Sequence, residues 1–247
     1  MSEVQTVARG SRAAAKRRAR AHAILDAAAD LVLRWGYDKT TVANIADRAR
    51  VAKGTIYLHW STREALFVAL FHREQADMLI GVRDRLSHGS ATFRDLSREV
   101  SAALARWPLV RAALLGDSEV LGGLLRERRN RDVAGDMREG LAGYLRTLVE
   151  NGALRSDLSP AEHANIIAAV MYGFYRVPRS LLVDDKDDER LPDLVADTLQ
   201  RTLGADAPLS VDVIHTVSAA TFAYLDGAIE TAQQKLERSL GGPEVAG

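Results

Sequence analysis

Thr40-Thr41-Val42-Ala43-Asn44-Ile45-Ala46-Asp47-Arg48-Ala49-Arg50-Val51-Ala52-Lys53-Gly54-Thr55-Ile56-Tyr57-Leu58-His59-Trp60 is the stretch on which the fold turns. Behind Thr40, whose hydroxyl suits a helix cap, Val42, Ile45, Ala46 and Ala49 recur at helical spacing. A second short helix then directs Lys53, Thr55, Tyr57 and His59 outward while Val51, Ile56 and Trp60 turn inward. Two short helices at a steep angle, the second carrying donors for phosphates and base edges, make a helix-turn-helix suited to duplex DNA.

The flanking segments supply what a two-helix unit lacks, a surface on which to bury its apolar face. Upstream, a helix is expected over about Arg17 to Trp35, with Ile24, Leu25, Ala28, Leu31, Val32 and Trp35 in one stripe and Gly36 as its C-cap. Trp35 and Tyr37 read as packing residues. Downstream, Ser61-Thr62-Arg63-Glu64 has the form of a capping box with Ser61 and Glu64 as its reciprocal pair. The helix it opens runs to about Leu86, with Leu66, Leu70, Phe71, Met78, Leu79 and Val82 facing inward.

Ile45-Ala46-Asp47-Arg48-Ala49, Val51, Lys53-Gly54-Thr55-Ile56-Tyr57, His59-Trp60 and Arg63-Glu64-Ala65-Leu66 together resemble the signature of TetR-type transcriptional regulators. The resemblance covers roughly residues 20–70. Two positions depart from the pattern: Arg50 stands where the family usually has a turn glycine, and Ala52 where it usually has a serine. A left-handed Arg50 would carry about 1 kcal/mol of strain. The resemblance implies roles for particular residues. Gly54 lets backbone approach DNA, Lys53 and Thr55 reach base edges, and Tyr57 and His59 meet phosphates. Thr41 and Arg63 clamp the DNA backbone on either side. It also implies that the fourth helix is the lever through which a bound ligand moves the head.

Composition narrows the alternatives. The chain has 247 residues, is 47% hydrophobic and contains no cysteine, which excludes disulfides, thiolate metal sites and thiol redox sensing. Ala, Leu, Arg and Glu dominate and β-branched runs are few, so an all-α protein follows. The longest apolar run, Ile166 to Tyr175, is 10 residues, well short of the ~20 that a membrane helix needs. The basic N-terminus has no apolar segment after it, so no secretion signal is read and a cytoplasmic location is expected. Net charge is zero, yet residues 1–74 hold 13 Lys and Arg against 7 Asp and Glu, while the remainder holds 20 against 26. Phosphate neutralisation is local, so one basic end suits one DNA-facing surface.

The expected layout has four parts. Residues 1–20 form a basic arm, in which Arg17 and Arg18 are candidates to lie along phosphates; a solubilising tail or an Ala-rich extension of the first helix are the other readings. Residues 21–66 form the three-helix DNA-binding domain. Residues 67–240 form a larger helical domain for ligand binding and dimerisation, and 241–247 a flexible tail. Further helices are expected over Thr92–Trp107, from Pro108, from Glu119 to about Asn151, from Ser159-Pro160-Ala161-Glu162, over Leu191–Leu203 and from Ser210 to about Leu240. The charged run 126–132 reads as a solvated face. The acidic run 184–189 lacks the oxygen spacing of a calcium loop, so no metal site is assigned.

The helix after Ser159 is apolar on more than one side and so needs covering on both. Ile166, Val170 and Phe174, with Val195 and Leu199, are the candidate dimer interface. The last helix, with its seam of Val211, Ile214, Ser218, Thr221, Leu225, Ile229, Ala232, Leu236 and Leu240, either enlarges that interface or closes over the core. Trp107, Tyr144, Met171, Tyr172 and Tyr175 are candidates for a pocket wall, by the layout that the resemblance implies. No nucleophile, paired-carboxylate or metal-ligand spacing appears, so neither an enzyme nor a cofactor is expected. The expected partners are a double-stranded DNA operator, a second copy of the chain and a hydrophobic or amphipathic small-molecule effector, with no membrane. A regulator of the same fold controlled by a protein partner is the alternative.

Overall fold

The computed structural model describes residues 2–117, 121, 133–176 and 189–240, the side chains of 2–11 and 133–138 excepted. Ten helices make up the described fold: α1 (Ser2–Trp35), α2 (Val42–Ala49), α3 (Lys53–Tyr57), α4 (Arg63–Leu86), α5 (Phe93–Arg106), α6 (Pro108–Leu115), α7 (Val133–Glu150), α8 (Pro160–Arg176), α9 (Leu191–Leu203) and α10 (Val211–Leu240). The protein is all-α, and the extended pairing among the described residues is one isolated bridge, Leu154 with Gly204. No described helix is long and apolar enough to cross a membrane. The expected helix start at Glu119, the charged run 126–132, positions 184–188 of the acidic run and the 241–247 tail lie outside the described residues.

Two caps sit one residue from their expected places. Thr41, not Thr40, opens α2: its backbone is extended, and Asn44 N donates to Thr41 Oγ1 at 3.2 Å while Thr41 N donates to Asn44 Oδ1 at 3.1 Å. Thr40 is fully buried and donates its hydroxyl to Gly36 O at 2.8 Å. Thr62, not Ser61, opens α4, accepting from Ala65 N at 3.1 Å. Where two hydroxyl residues are adjacent, either satisfies the chemistry of a cap; the backbone turn selects one. Ser159 caps α8 as expected, in reciprocal bonds with Glu162.

α1 begins at Ser2, well before the expected Arg17, in keeping with the helix-extension reading of the basic segment. Its stripe of Ile24, Leu25, Ala28, Leu31 and Val32 is buried, but Trp35 is 47% exposed. The chain reverses at Gly36 (φ 77°), and the buried Tyr37 closes the core there, edge-on to Phe67 at 4.8 Å. Arg50 does occupy the left-handed region, at φ 55° and ψ 44°. Its amide and that of Val51 return to the carbonyls of Asp47 and Ala46, which closes α2 tightly enough for α3 to cross it.

Two apolar cores organise the molecule. The first gathers Ile24, Leu25, Leu31, Ile45, Ile56, Trp60, Leu66 and Leu70 from the N-terminal helices, together with Leu109 and Ala112 of α6 and Leu236 and Leu240 of α10. The second gathers Met78, Val82, Leu86, Leu96, Leu104, Tyr144, Leu148, Val195, Leu199, Val217 and Leu225. α4 and α10 contribute to both. They run antiparallel: Ala91 N donates to Ser218 Oγ, and Arg83 pairs with Asp226. Near the junction, Arg73 is buried and bridges from α4 to Asp26 at 2.6 Å, with Glu74 at 2.8 Å. Asp26 is largely exposed, so this contact positions α4 against α1 more than it adds stability.

The strain at Arg50 gives a direct test. Arg50→Gly is expected to leave stability unchanged or raise it by up to about 1 kcal/mol, since relief of the left-handed strain is offset by a freer unfolded chain. Arg50→Val, β-branched at a positive φ, is expected to lower it by more than about 1 kcal/mol. Urea denaturation of the two variants beside the parent decides; a valine variant as stable as the glycine variant would contradict the left-handed turn.

Candidate nucleic-acid interface

α3 is only 5 residues long, and its exposed surface follows from how it is held. Ile56 and Trp60 are buried beneath it, against the core of α1, α2 and α4. That leaves Lys53, Gly54 and Tyr57 on the surface, with Tyr57 43% exposed, and Thr55 half-buried. Leu58 stands out at 69% exposure. Ala52 offers no side-chain cap, so the α3 N-terminus keeps amides that protein side chains do not satisfy. A Cβ added at Gly54 would meet nothing within 4 Å, so no neighbour among the described residues demands a glycine there. An exposed, bare backbone of this kind permits close approach of another molecule.

His59 departs from expectation. It is buried, 3% exposed, rather than directed outward to phosphate. After Tyr57 the chain tightens, His59 N returning to Ile56 O at 2.9 Å, and this swings the imidazole inward beside Trp60 at 5.3 Å between ring centroids. Its Nδ1 has no hydrogen-bond partner among the described residues. Burial, and then the charges of Arg17 and Arg20, hold its pKa below the ordinary histidine value.

The cations divide. Arg17 reaches the end of α3, donating to Leu58 O at 3.3 Å. Arg18 points elsewhere and pairs with Glu237 on α10. Adjacent residues on a helix lie about 100° apart, so the two cannot face the same partner. Arg63, expected to clamp the DNA backbone, is instead half-buried and folded over Tyr37, 3.9 Å from the ring centroid, and donates to Tyr37 O. Tyr37 in turn donates to Glu64 Oε1 at 3.3 Å, so this group pins the α1–α2 turn onto α4. Thr41 is exposed, but its hydroxyl is engaged in the α2 cap. Lys39 and Arg50 add to the set expected from sequence: both are exposed and have no ion-pair partner among the described residues. Their place on either side of α2, at its cap and at its end, is the signal that would have found them.

The larger domain is also rearranged. Val195 and Leu199 cannot form an interface: they are 0% and 1% exposed, packed with α5 inside the second core. Ile166 and Val170 are half-buried against that same core, and Phe174 is exposed at 36%. The outward stripe of α8 is instead Asn165, Ala168, Ala169, Tyr172 and Arg176. Of the five expected pocket residues, Tyr144 lines a sizeable cleft between α4, α7 and α10. Tyr172 is 49% exposed, Trp107 packs over Gly81, Met171 is half-buried in the second core, and Tyr175 donates to Ser101 O at 2.5 Å.

The depressed pKa of His59 has a defined sign. The folded state keeps the imidazole neutral, so its contribution is fully present above about pH 6.5 and is lost as pH falls through the lower folded value. Stability of the parent is expected to fall below about pH 6.5 more steeply than that of His59→Gln, measured by urea midpoints across that range. Identical slopes would refute the buried neutral imidazole.

Residues 24–70 match the sequence profile described as bacterial regulatory proteins, tetR family. Over 197 residues the chain is 30% identical to an uncharacterized HTH-type transcriptional regulator, YdeS, of Bacillus subtilis (strain 168), covering 76% of this chain and 92% of that protein. It is 26% identical to the fatty acid metabolism regulator protein of the same organism, over 56% of this chain and 68% of the relative. In fold it is similar to the crystal structure of a gamma-butyrolactone receptor (ArpA like protein), with a TM-score of 0.51 at 20% identity, covering 90% of this chain and 98% of that one. With a helix-turn-helix whose second helix is held outward on a closed core, the chain belongs to the TetR family of bacterial transcriptional regulators.

Proposed function

We propose that the protein is a dimeric repressor that holds a palindromic operator in two major grooves and releases it when a small hydrophobic or amphipathic effector binds. The observation that carries this reading is the display of Lys53, Gly54 and Tyr57 on a helix buried only along its far side. A helix so placed enters a major groove with its N-terminal residues at the base edges. Lys53 and Thr55 are the base-reading residues, and Tyr57 and Arg17 contact phosphate. Thr41 contributes through the α2 end that it caps, and Arg63 and His59 support the head from within.

One such helix makes few base contacts, and two-fold symmetry doubles them; half-sites then lie about 34–36 Å apart per helical turn. α8 is the surface best fitted to the symmetric contact. Ala168 and Ala169 are small and exposed, allowing close helix approach, with Tyr172 and Phe174 as larger apolar anchors. Leu194 on α9 is exposed at 43% and extends the patch. The effector class is supported by what the relatives are called: one regulates fatty acid metabolism and another receives a gamma-butyrolactone.

The test is a footprint and anisotropy titration on duplex from the region upstream of the protein's own gene. A protected site with two-fold symmetry is expected. Lys53→Ala should weaken binding about tenfold and relax specificity at the base pair it reads, and Tyr57→Phe should weaken it several-fold, with the dimer intact by light scattering. Parental affinity in both variants would remove α3 from the interface.

A further inference from the structure

Between α7 and α10, floored by Gln75 of α4, lies a cleft of about 570 Å³, within the ~300–1,000 Å³ usual for small-molecule sites. α7 and α10 run antiparallel along it. Tyr144 and Thr221 share a hydrogen bond at 2.9 Å, and Gly140 lies opposite the Tyr224 ring at 3.9 Å. The Tyr144 and Tyr224 rings stack at 4.9 Å between centroids and 15° between planes, giving the cleft one flat aromatic wall.

Two features of the lining have no use among the described residues. Gly143 and Gly227 sit inside helices, where glycine costs about 1 kcal/mol relative to alanine, yet a Cβ at either would meet nothing within 4 Å. Among the described residues neither helix packing nor a turn requires them, and their lack of side chains leaves the cleft wide. Tyr224 is the second feature. Burial pushes its phenol pKa up, and its hydroxyl has no hydrogen-bond partner among the described residues, whereas the Tyr144 hydroxyl beside it does. Tyr224 is half-buried, which leaves this hydroxyl open to an acceptor that enters from the cleft.

The cleft ends where the head begins. Lys235 lines it, and the next residue, Leu236, is buried in the N-terminal core with Leu240. Glu237 pairs with Arg18 of α1. A helix of 30 residues is a rod of about 45 Å, so a displacement at Gly227 is felt at α1 two to three turns away.

We propose that this cleft is the effector site, and that α10 carries its occupancy to the reading head. The ligand is a small amphipathic molecule, its apolar body against the tyrosine pair and the glycines, its hydrogen-bond acceptor on the Tyr224 hydroxyl. The transmission rests on the reading of the chain as a ligand-controlled regulator; the binding does not.

The full-length protein is titrated with 1-anilinonaphthalene-8-sulfonate, an aromatic acid whose fluorescence rises in apolar sites. One saturable site per chain is expected, from which decanoate displaces the probe. Gly143→Leu and Gly227→Leu fill the cleft with better helix formers and should weaken the probe about tenfold or more. Tyr224→Phe, which keeps the ring, should weaken it several-fold. Circular dichroism checks that the variants fold. Parental probe affinity in both leucine variants and in Tyr224→Phe overturns the site. Saturating probe should also lower the parent's affinity for the upstream duplex about tenfold. Probe held in the cleft with duplex affinity unchanged overturns the transmission and leaves the site. Failure of the apo protein to bind any upstream duplex removes the regulatory reading, and the titration still decides the cleft.

Discussion

α4 and α10 each bury one end in the N-terminal core and the other in the larger one, and the remaining architecture depends on that double commitment. A helix is stiff over these lengths, so neither can shift in one core without straining the other. Leu66 and Leu70 hold α4 to the reading head while Met78, Val82 and Leu86 hold it to the larger domain; α10 makes the same connection in the opposite direction. The Arg83–Asp226 and Arg18–Glu237 pairs lie along this double rod at largely exposed positions. They set register more than stability, since exposed pairs are worth about 0–1 kcal/mol.

The reading head shows how little of a DNA-binding helix need be self-sustaining. A 5-residue helix in water is unfavourable, because nucleation fixes several dihedrals for one hydrogen bond. α3 exists because Ile56, Trp60 and His59 are drawn into the core and because the left-handed Arg50 turns the chain sharply after α2. Arg63, stacked on Tyr37, fastens the turn before α2 to α4 from the other side. The cations thus differ in what they hold. Lys53, Lys39 and Arg50 face solvent, Arg17 reaches the end of α3, and Arg63 and Arg73 join one helix to another.

The same division appears among the aromatic residues of the larger domain. Tyr175 is engaged by Ser101, Tyr172 faces outward on α8, and Tyr144 and Tyr224 stack beside an open cleft. A binding surface and a packing surface can draw on one residue type, and only the partner of each hydroxyl tells them apart.

Composition was enough for the all-α class, and periodicity and punctuation for the helix-turn-helix, most of the inward faces of α1 and α4, the Gly36 stop and the Ser159 cap; the family came from the resemblance of the Ile45–Leu66 motifs. These rest on contacts within a few residues, which a linear pattern encodes directly. What only the tertiary structure decided is which side of an apolar helix meets which neighbour. Val195 and Leu199 have the same pattern as an interface but are claimed by α5, and Trp35 has the pattern of a core residue but lies past the point where Tyr37 closes the core. Arg63 and His59 carry the chemistry of phosphate contacts, yet Arg63 is turned over Tyr37, 26 residues away, and His59 is swung inward by the tight return of its amide to Ile56 O. The α7–α10 cleft joins positions about 80 residues apart in the chain, as Tyr144 and Thr221 show at |i−j| = 77. Helical spacing says that a face is apolar; closure of the chain through space determines what covers it.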